Sequence, residues 1–217
     1  MVEKEEKGSK RILSIMTLLP LSYFGPIEEF VYLSKNKSVT YDISEHFLKQ
    51  SYRNRCIIYG ANGLLRLTVP LVLKSREKTA MKNIKISYAE NWQSQHWRSI
   101  QSAYKNSPFF DYYEEMILPI FFEEFENLKD LNIKAREIIM QCLQLNCEIE
   151  YTQDFIAYKT NDLRLNIHPK KEPTLDLPRY IQVFEEKHGF YPNLSILDLL
   201  FNEGPSAALY LSQLVTV

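Results

Sequence analysis

The sequence predicts an α+β fold, with irregular α/β as the neighbouring class. Two observations carry this. Short β-forming runs and turn signals fill the chain before Asn91, and beyond it the apolar residues recur at helical spacing. The clearest single unit is a hairpin, so N-terminal strands and a hairpin are expected to pack against a mostly helical C-terminal half.

In chain order, the first ten residues carry charge with nothing to bury and are expected to form a disordered tail. Residues 12–18 (ILSIMTL) read as a buried strand. Pro20, Gly25 and Pro26 then interrupt regular structure before the helical stretch IEEFVYLSK. SVTYDIS alternates as a short strand. RCIIY and LLRLTVPL flank GANG, whose glycines can take positive φ, and this is the hairpin. NIKISY, residues 83–88, puts Ile84 and Ile86 on one face of a further strand.

In the second half, Asn91, Asn127 and Asp130 are helix-start signals. Trp92, His96, Ile100 and Tyr104 recur every fourth residue and share a helix face. Pro119 should split SPFFDYYEEMILPIFFEEFENL into two pieces. Leu131, Ala135, Ile138, Cys142 and Leu145 form the stripe of an amphipathic helix. Residues 159–180 carry three prolines and little periodicity, as an irregular excursion or a lid would. Asn193 is placed to cap a helix that Gly204 closes, and a Pro-started helix follows.

The chain has 217 residues, 45% of them apolar, with 14 Tyr and 12 Phe; this suits one domain, residues 11–217, that needs no metal or disulfide staple. A net charge of −1 lacks the basic excess of a general nucleic-acid binder. Three cysteines (Cys56, Cys142 and Cys147) without paired spacing fit a reducing compartment. The run ILSIMTLLPL falls well short of the ~20 residues that span a bilayer, and its flanks do not read as a signal peptide. A cytoplasmic protein without an integral membrane segment is the expectation.

Dinucleotide, P-loop, nucleophile-elbow and zincin motifs are absent, and His46, His96, His168 and His188 do not stand at metal-ligand spacing. The sequence points to no metal and names no cofactor. Three constellations remain. Gln50, Tyr52, Arg53, Asn54 and Arg55 crowd one run. In an extended segment Arg53 and Arg55 would share a face, either gripping a carboxylate or phosphate or forming a solvated strand edge. Trp92, His96 and Tyr104 offer a helix-borne acid/base, or an aromatic core face with a satisfied imidazole. Asp198, Asn202 and Glu203 end a helix with negative charge that opposes its dipole, marking a site or simple exposure. Cys56 adjoins Arg55 but faces the other way, so it reads as packing.

Together LPLSYFGPIEEF, QSYRNRCIIYGANGLLRLTVPL, IKISYAENWQSQHWRSIQSAYKNSPFFDYY, LNIKAREIIMQCLQL and NLSILDLLFNEGP resemble the WbqC-like family of bacterial proteins. The resemblance implies a link to surface polysaccharide (O-antigen) biosynthesis and transfer of an acyl or aminoacyl group to a sugar or precursor. Asn54, Arg55, Trp92, His96, Tyr104, Asn202, Glu203 and Gly204 match the family pattern. Leu18-Leu19-Pro20 stands where the family has His-Gln-Pro. Two readings follow. The first is a transferase with His96 as acid/base and Arg53, Asn54, Arg55, Trp92, Tyr104, Asn202 and Glu203 binding a sugar nucleotide, acyl or aminoacyl donor. The second is a non-catalytic binding or scaffold paralogue of a polysaccharide gene system.

Overall fold

A computed structural model describes residues 16–73, 78–157 and 161–214, and its fold is a mixed α+β one. The expected tail and the first half of the expected opening strand lie outside the described residues. What is described of that strand is β1, Leu18–Leu19, far shorter than the apolar run. Helix α1 (Ile27–Lys35) occupies the IEEFVYLSK stretch, and β2 (Ser38–Asp42) follows it.

β1 and β2 pair in parallel, with α1 as their crossover. The third strand of this sheet is β7 (Glu148–Thr152), parallel to β2 from Ser38↔Glu148 to Asp42↔Thr152. Glu-Ile-Glu-Tyr-Thr alternates, but it follows the long helical half of the chain, and the early-strand, late-helix reading passed over it.

The hairpin forms as expected from β3 (Arg55–Gly60) and β4 (Gly63–Thr68), with Gly63 at φ 101°. Residues 52–54 are not part of its strand. They form a 3-10 turn started by Ser51, whose hydroxyl accepts from the Arg53 N–H, and this overturns the expectation that Arg53 and Arg55 share one strand face. β5 (Leu71–Val72) pairs antiparallel with β6 (Lys85–Ile86), a fragment of the expected 83–88 strand.

Helix α2 (Trp92–Tyr104) buries the Trp92–His96–Ile100–Tyr104 face against β3, and Asn91 caps it by accepting from the Ser94 N–H at 3.2 Å. α3 (Phe110–Ile117) gives way to a 3-10 turn at Leu118–Phe121, where Pro119 removes a donor. α4 (Leu128–Cys142) packs its apolar stripe inward but also buries Asn132 and Arg136. In the described part of the excursion before residue 180 no helix or strand forms, and the short α5 (Glu185–His188) comes after it. α6 (Ile196–Glu203) and α7 (Ser206–Gln213) close the fold over α1. The cap of α6 is Ser195, which accepts from the Leu197 N–H. Asn193, at φ 53°, instead joins its amide to the Glu28 backbone and carboxylate.

Candidate functional site

The expected site residues fall into four environments. His96 is 5% exposed, its Nδ1 lies 3.1 Å from the Tyr23 hydroxyl, and its ring packs edge-on against Trp92 at 5.1 Å. Burial lowers its pKa to about 4, with the Thr68 carbonyl resisting, so the imidazole is neutral near pH 7. The buried Trp92 Nε1–H has no partner.

Tyr104 serves a different centre. Its hydroxyl donates to Asp198 at 2.9 Å and accepts from the Tyr59 N–H at 3.1 Å. Asp198 also accepts from Tyr180 (2.6 Å) and Gln182 (3.2 Å), while Asn202 donates to the Asp198 carbonyl at 2.8 Å. Burial raises the Asp198 pKa to about 6 against the pull of these donors. This network ties residues 180–182 to α6 and satisfies its own polar atoms. Glu203 stays half-exposed at the end of α6.

Arg53 is buried and grips Glu45 through the side-on fork of its guanidinium: Nε to Oε1 at 2.6 Å and Nη2 to Oε2 at 2.8 Å. Asn54 donates to the Val69 carbonyl at 3.0 Å, and its Oδ1 is left without a partner.

Arg55 opens β3 on the outward face. The register Arg55↔Thr68 and Ile57↔Arg66 makes Arg66 its diagonal neighbour on that face. The Arg55 Nε is buried and unpartnered, and both burial and the Arg66 charge lower its pKa. His168 and the exposed Lys170 and Lys171 complete a cationic rim. The Lys170 ammonium donates to the Gln50 side-chain Oε1 at 2.6 Å, and its backbone N–H lies 3.2 Å from His168 Nδ1. Burial, then Arg53, Lys170, Lys171 and Arg55, lower the His168 pKa. Among the described residues none of Arg55, Arg66, His168, Lys170 and Lys171 has a carboxylate at ion-pair distance. Arg55 and His96 approach one residue from two sides: Thr68 is the cross-strand partner of Arg55, and its carbonyl meets the His96 imidazole.

On the inner side of Arg53 is a polar cluster that the sequence did not announce. Glu29, 1% exposed on α1, accepts from the Tyr41 hydroxyl at 3.1 Å through Oε1, while Oε2 has no partner. Burial raises its pKa to about 7. The nearby Ser22 hydroxyl, itself spent on the Pro20 carbonyl (3.3 Å), then Arg136, Tyr41 and Arg53 hold it from rising further. Gly25 lets the carboxylate lie close to the backbone, since a Cβ there would push Oε2 aside. From α4, Asn132 donates to the Leu21 and Arg53 carbonyls (3.0 and 2.7 Å), leaving Oδ1 free. One turn on, Arg136 lies 4.6 Å over the Tyr41 ring and 5.3 Å from the Tyr151 ring and donates to the Tyr151 hydroxyl. Its Nε and Nη1, like the Arg53 Nη1, are unpartnered. A buried polar residue on a core helix stripe is the one signal that would have found Asn132 and Arg136, since each interrupts an otherwise apolar face.

The described residues hold no cluster of three or more His, Cys, Asp or Glu side chains able to bind a metal, and no helix long and apolar enough to cross a membrane. Cys56 is buried, and its thiol pKa lies far above the ordinary value, which fits a packing role.

The profile of the WbqC-like protein family matches residues 22–174. The chain belongs to that family. The matched span contains both the cationic rim and the Glu29–Arg136 cluster, and ends before the Asp198 network. A protein of Mycobacterium tuberculosis (strain ATCC 25618 / H37Rv), Rv1507c, described as uncharacterized, is 27% identical over 193 residues, covering 76% of this chain and 83% of that one. No solved structure matches the chain.

Proposed function

We propose that this WbqC-like protein is a cytoplasmic transferase that takes an anionic small-molecule precursor of surface polysaccharide, a nucleotide sugar or a phosphate-bearing acyl or aminoacyl donor. One observation carries the reading: the unopposed rim of Arg55, Arg66, His168, Lys170 and Lys171 beside Gln50 and Asn54. Four cations without carboxylate partners (Arg55, Arg66, Lys170 and Lys171) repel one another beside His168, and a diphosphate relieves that repulsion while using the forked donors of both arginines. The unpartnered Arg55 Nε and Asn54 Oδ1 supply a donor and an acceptor at the same end of β3. In this reading Arg53 supports the rim from behind, its charge committed to Glu45. His96, Trp92 and Tyr104 shape the core beneath, and Asn202 and Glu203 lie on α6. The test is calorimetric titration with UDP-glucose at low salt. The Arg55→Ala/Arg66→Ala protein should bind at least tenfold more weakly, and unchanged affinity would remove the rim from the account.

A non-catalytic binding role is the second reading, favoured by one fact: the histidine that matches the family pattern is buried, neutral and bonded to Tyr23. The two readings share the rim and part on turnover. Consumption of a nucleotide sugar together with an acyl or aminoacyl acceptor supports the first, and tight binding without consumption the second.

A further inference from the structure

Arg136 is 3% exposed and, among the described residues, has no carboxylate within ion-pair distance and keeps two unpartnered N–H-bearing nitrogens. A buried guanidinium in that state is costly, and proteins normally supply it with a counter-ion. With Glu29 protonated, the charges around it leave one positive charge over. Arg53 is neutralised by Glu45 through two bonds. Glu29, bonded to Tyr41, does not touch Arg136 at ion-pair distance. The unpartnered atoms fall into two kinds. Arg136 Nε and Nη1 and Arg53 Nη1 want acceptors, and Asn132 Oδ1 wants a donor, while Glu29 Oε2 accepts when ionised and donates when protonated.

The geometry points to a second binding site, between α1, the Arg53 turn and α4, for a small carboxylate that also carries a hydroxyl or ammonium group, as an amino acid or a hydroxy acid does. The carboxylate meets Arg136 and Arg53, and the hydroxyl or ammonium meets Asn132. A hydroxy acid brings the single negative charge the guanidinium lacks, an amino acid brings the same carboxylate with its ammonium turned to Asn132, and a phosphate dianion would overshoot. Water would answer the hydrogen bonds but not the charge. Arg136 also lines a groove of about 690 Å³, together with Glu137, Met140, Ile149 and Tyr151. This site goes beyond the rim reading and requires no phosphorylated substrate.

Glu29 makes occupancy depend on pH. It is faced by Tyr41 from β2, Arg53 from the turn and Arg136 from α4, and an ionised Glu29 repels the incoming carboxylate. Binding is therefore tighter below neutrality, when Glu29 carries a proton and donates it.

The full-length protein is titrated calorimetrically at pH 6 and pH 8 with L-serine, lactate, acetate and inorganic phosphate. One-to-one uptake of L-serine or lactate is expected, with acetate and phosphate at least tenfold weaker. Affinity should fall at least threefold from pH 6 to pH 8, and this dependence should vanish in Glu29→Gln, an isosteric change that keeps the fold. Arg136→Gln should weaken uptake at least tenfold, and Arg55→Ala/Arg66→Ala should leave it unchanged. Absence of uptake by the wild type overturns the proposal and assigns the unpartnered atoms to water. Loss of uptake in the Arg55→Ala/Arg66→Ala protein overturns it by moving the carboxylate to the rim. If Arg136→Gln does not fold, the Glu29→Gln comparison decides alone, and a pH dependence equal to wild type refutes the site.

Discussion

Glu45→Ala is the sharpest perturbation of the ground on which both sites stand. Arg53 is 1% exposed, and Glu45 provides two of its three side-chain hydrogen bonds, the third being the Arg164 carbonyl at 3.3 Å. Removing the carboxylate strands a buried guanidinium, which costs about 3–5 kcal/mol. At roughly 2–4 °C per kcal/mol for a chain of this size, the melting temperature should drop by ~6–20 °C. The cause is an uncompensated charge rather than a lost contact, so removing the second charge should restore much of the loss. Glu45→Leu/Arg53→Met should therefore be more stable than Glu45→Ala. Urea denaturation of wild type, Glu45→Leu, Arg53→Met and the double variant closes the cycle. The reasoning is refuted if Glu45→Ala unfolds within about 1 kcal/mol of wild type, or if the double variant shows the sum of the single losses.

Three further outcomes follow from the same geometry. Burial raises the Glu29 pKa from 4.5 to about 7, so the folded state holds a proton that the unfolded state has lost across that window. Stability from this group is full below pH 4.5 and lost as pH rises through 7, and the total is about 3 kcal/mol at ~1.36 kcal/mol per pKa unit. Glu29→Gln should thus gain on wild type in urea melts at pH 8 and not at pH 4.5, and an equal offset at both pH values contradicts it. Gly204 sits at φ 52° and ψ −126°, where an added Cβ would run into the Phe109 ring. Gly204→Ala should lose roughly 2–6 kcal/mol from backbone strain and overpacking, read by thermal melting, and near-wild-type stability would deny that geometry. His96 should show no imidazole protonation in an NMR titration from pH 8 to pH 5, since burial lowers its pKa to about 4, and a midpoint near 6.5 would contradict its burial.

Periodicity made the helices legible because each buries one face: the Trp92–Tyr104 stripe and the Leu131–Cys142 stripe both point inward. Pro119 and Gly204 ended their elements for the reasons their chemistry dictates. The parallel sheet was harder to read, because β1 is two residues long and β7 lies far along the chain from its partner β2. Local pattern carries no information about such non-local pairing. For the candidate site, the run from Gln50 to Arg55 does not take the extended conformation expected of it. The Ser51 cap winds Tyr52–Asn54 into a 3-10 turn that sends Arg53 inward to Glu45 and leaves Arg55 on the rim. Nothing in the local pattern of IEEFVYLSK marks Glu29 as buried, and tertiary packing over Gly25 and Tyr41 is what buries it.

The central claim is that two arginines bind two different ligands: Arg55 a diphosphate at the outer face and Arg136 a carboxylate in the interior. Arginine Nε–H NMR signals of the isotopically labelled protein, followed during separate additions of UDP-glucose and L-serine, test it most directly. UDP-glucose should shift the Arg55 signal and spare that of Arg136, and L-serine should do the reverse. Signals of both arginines that stay fixed under both additions, or move together under either one, would contradict it.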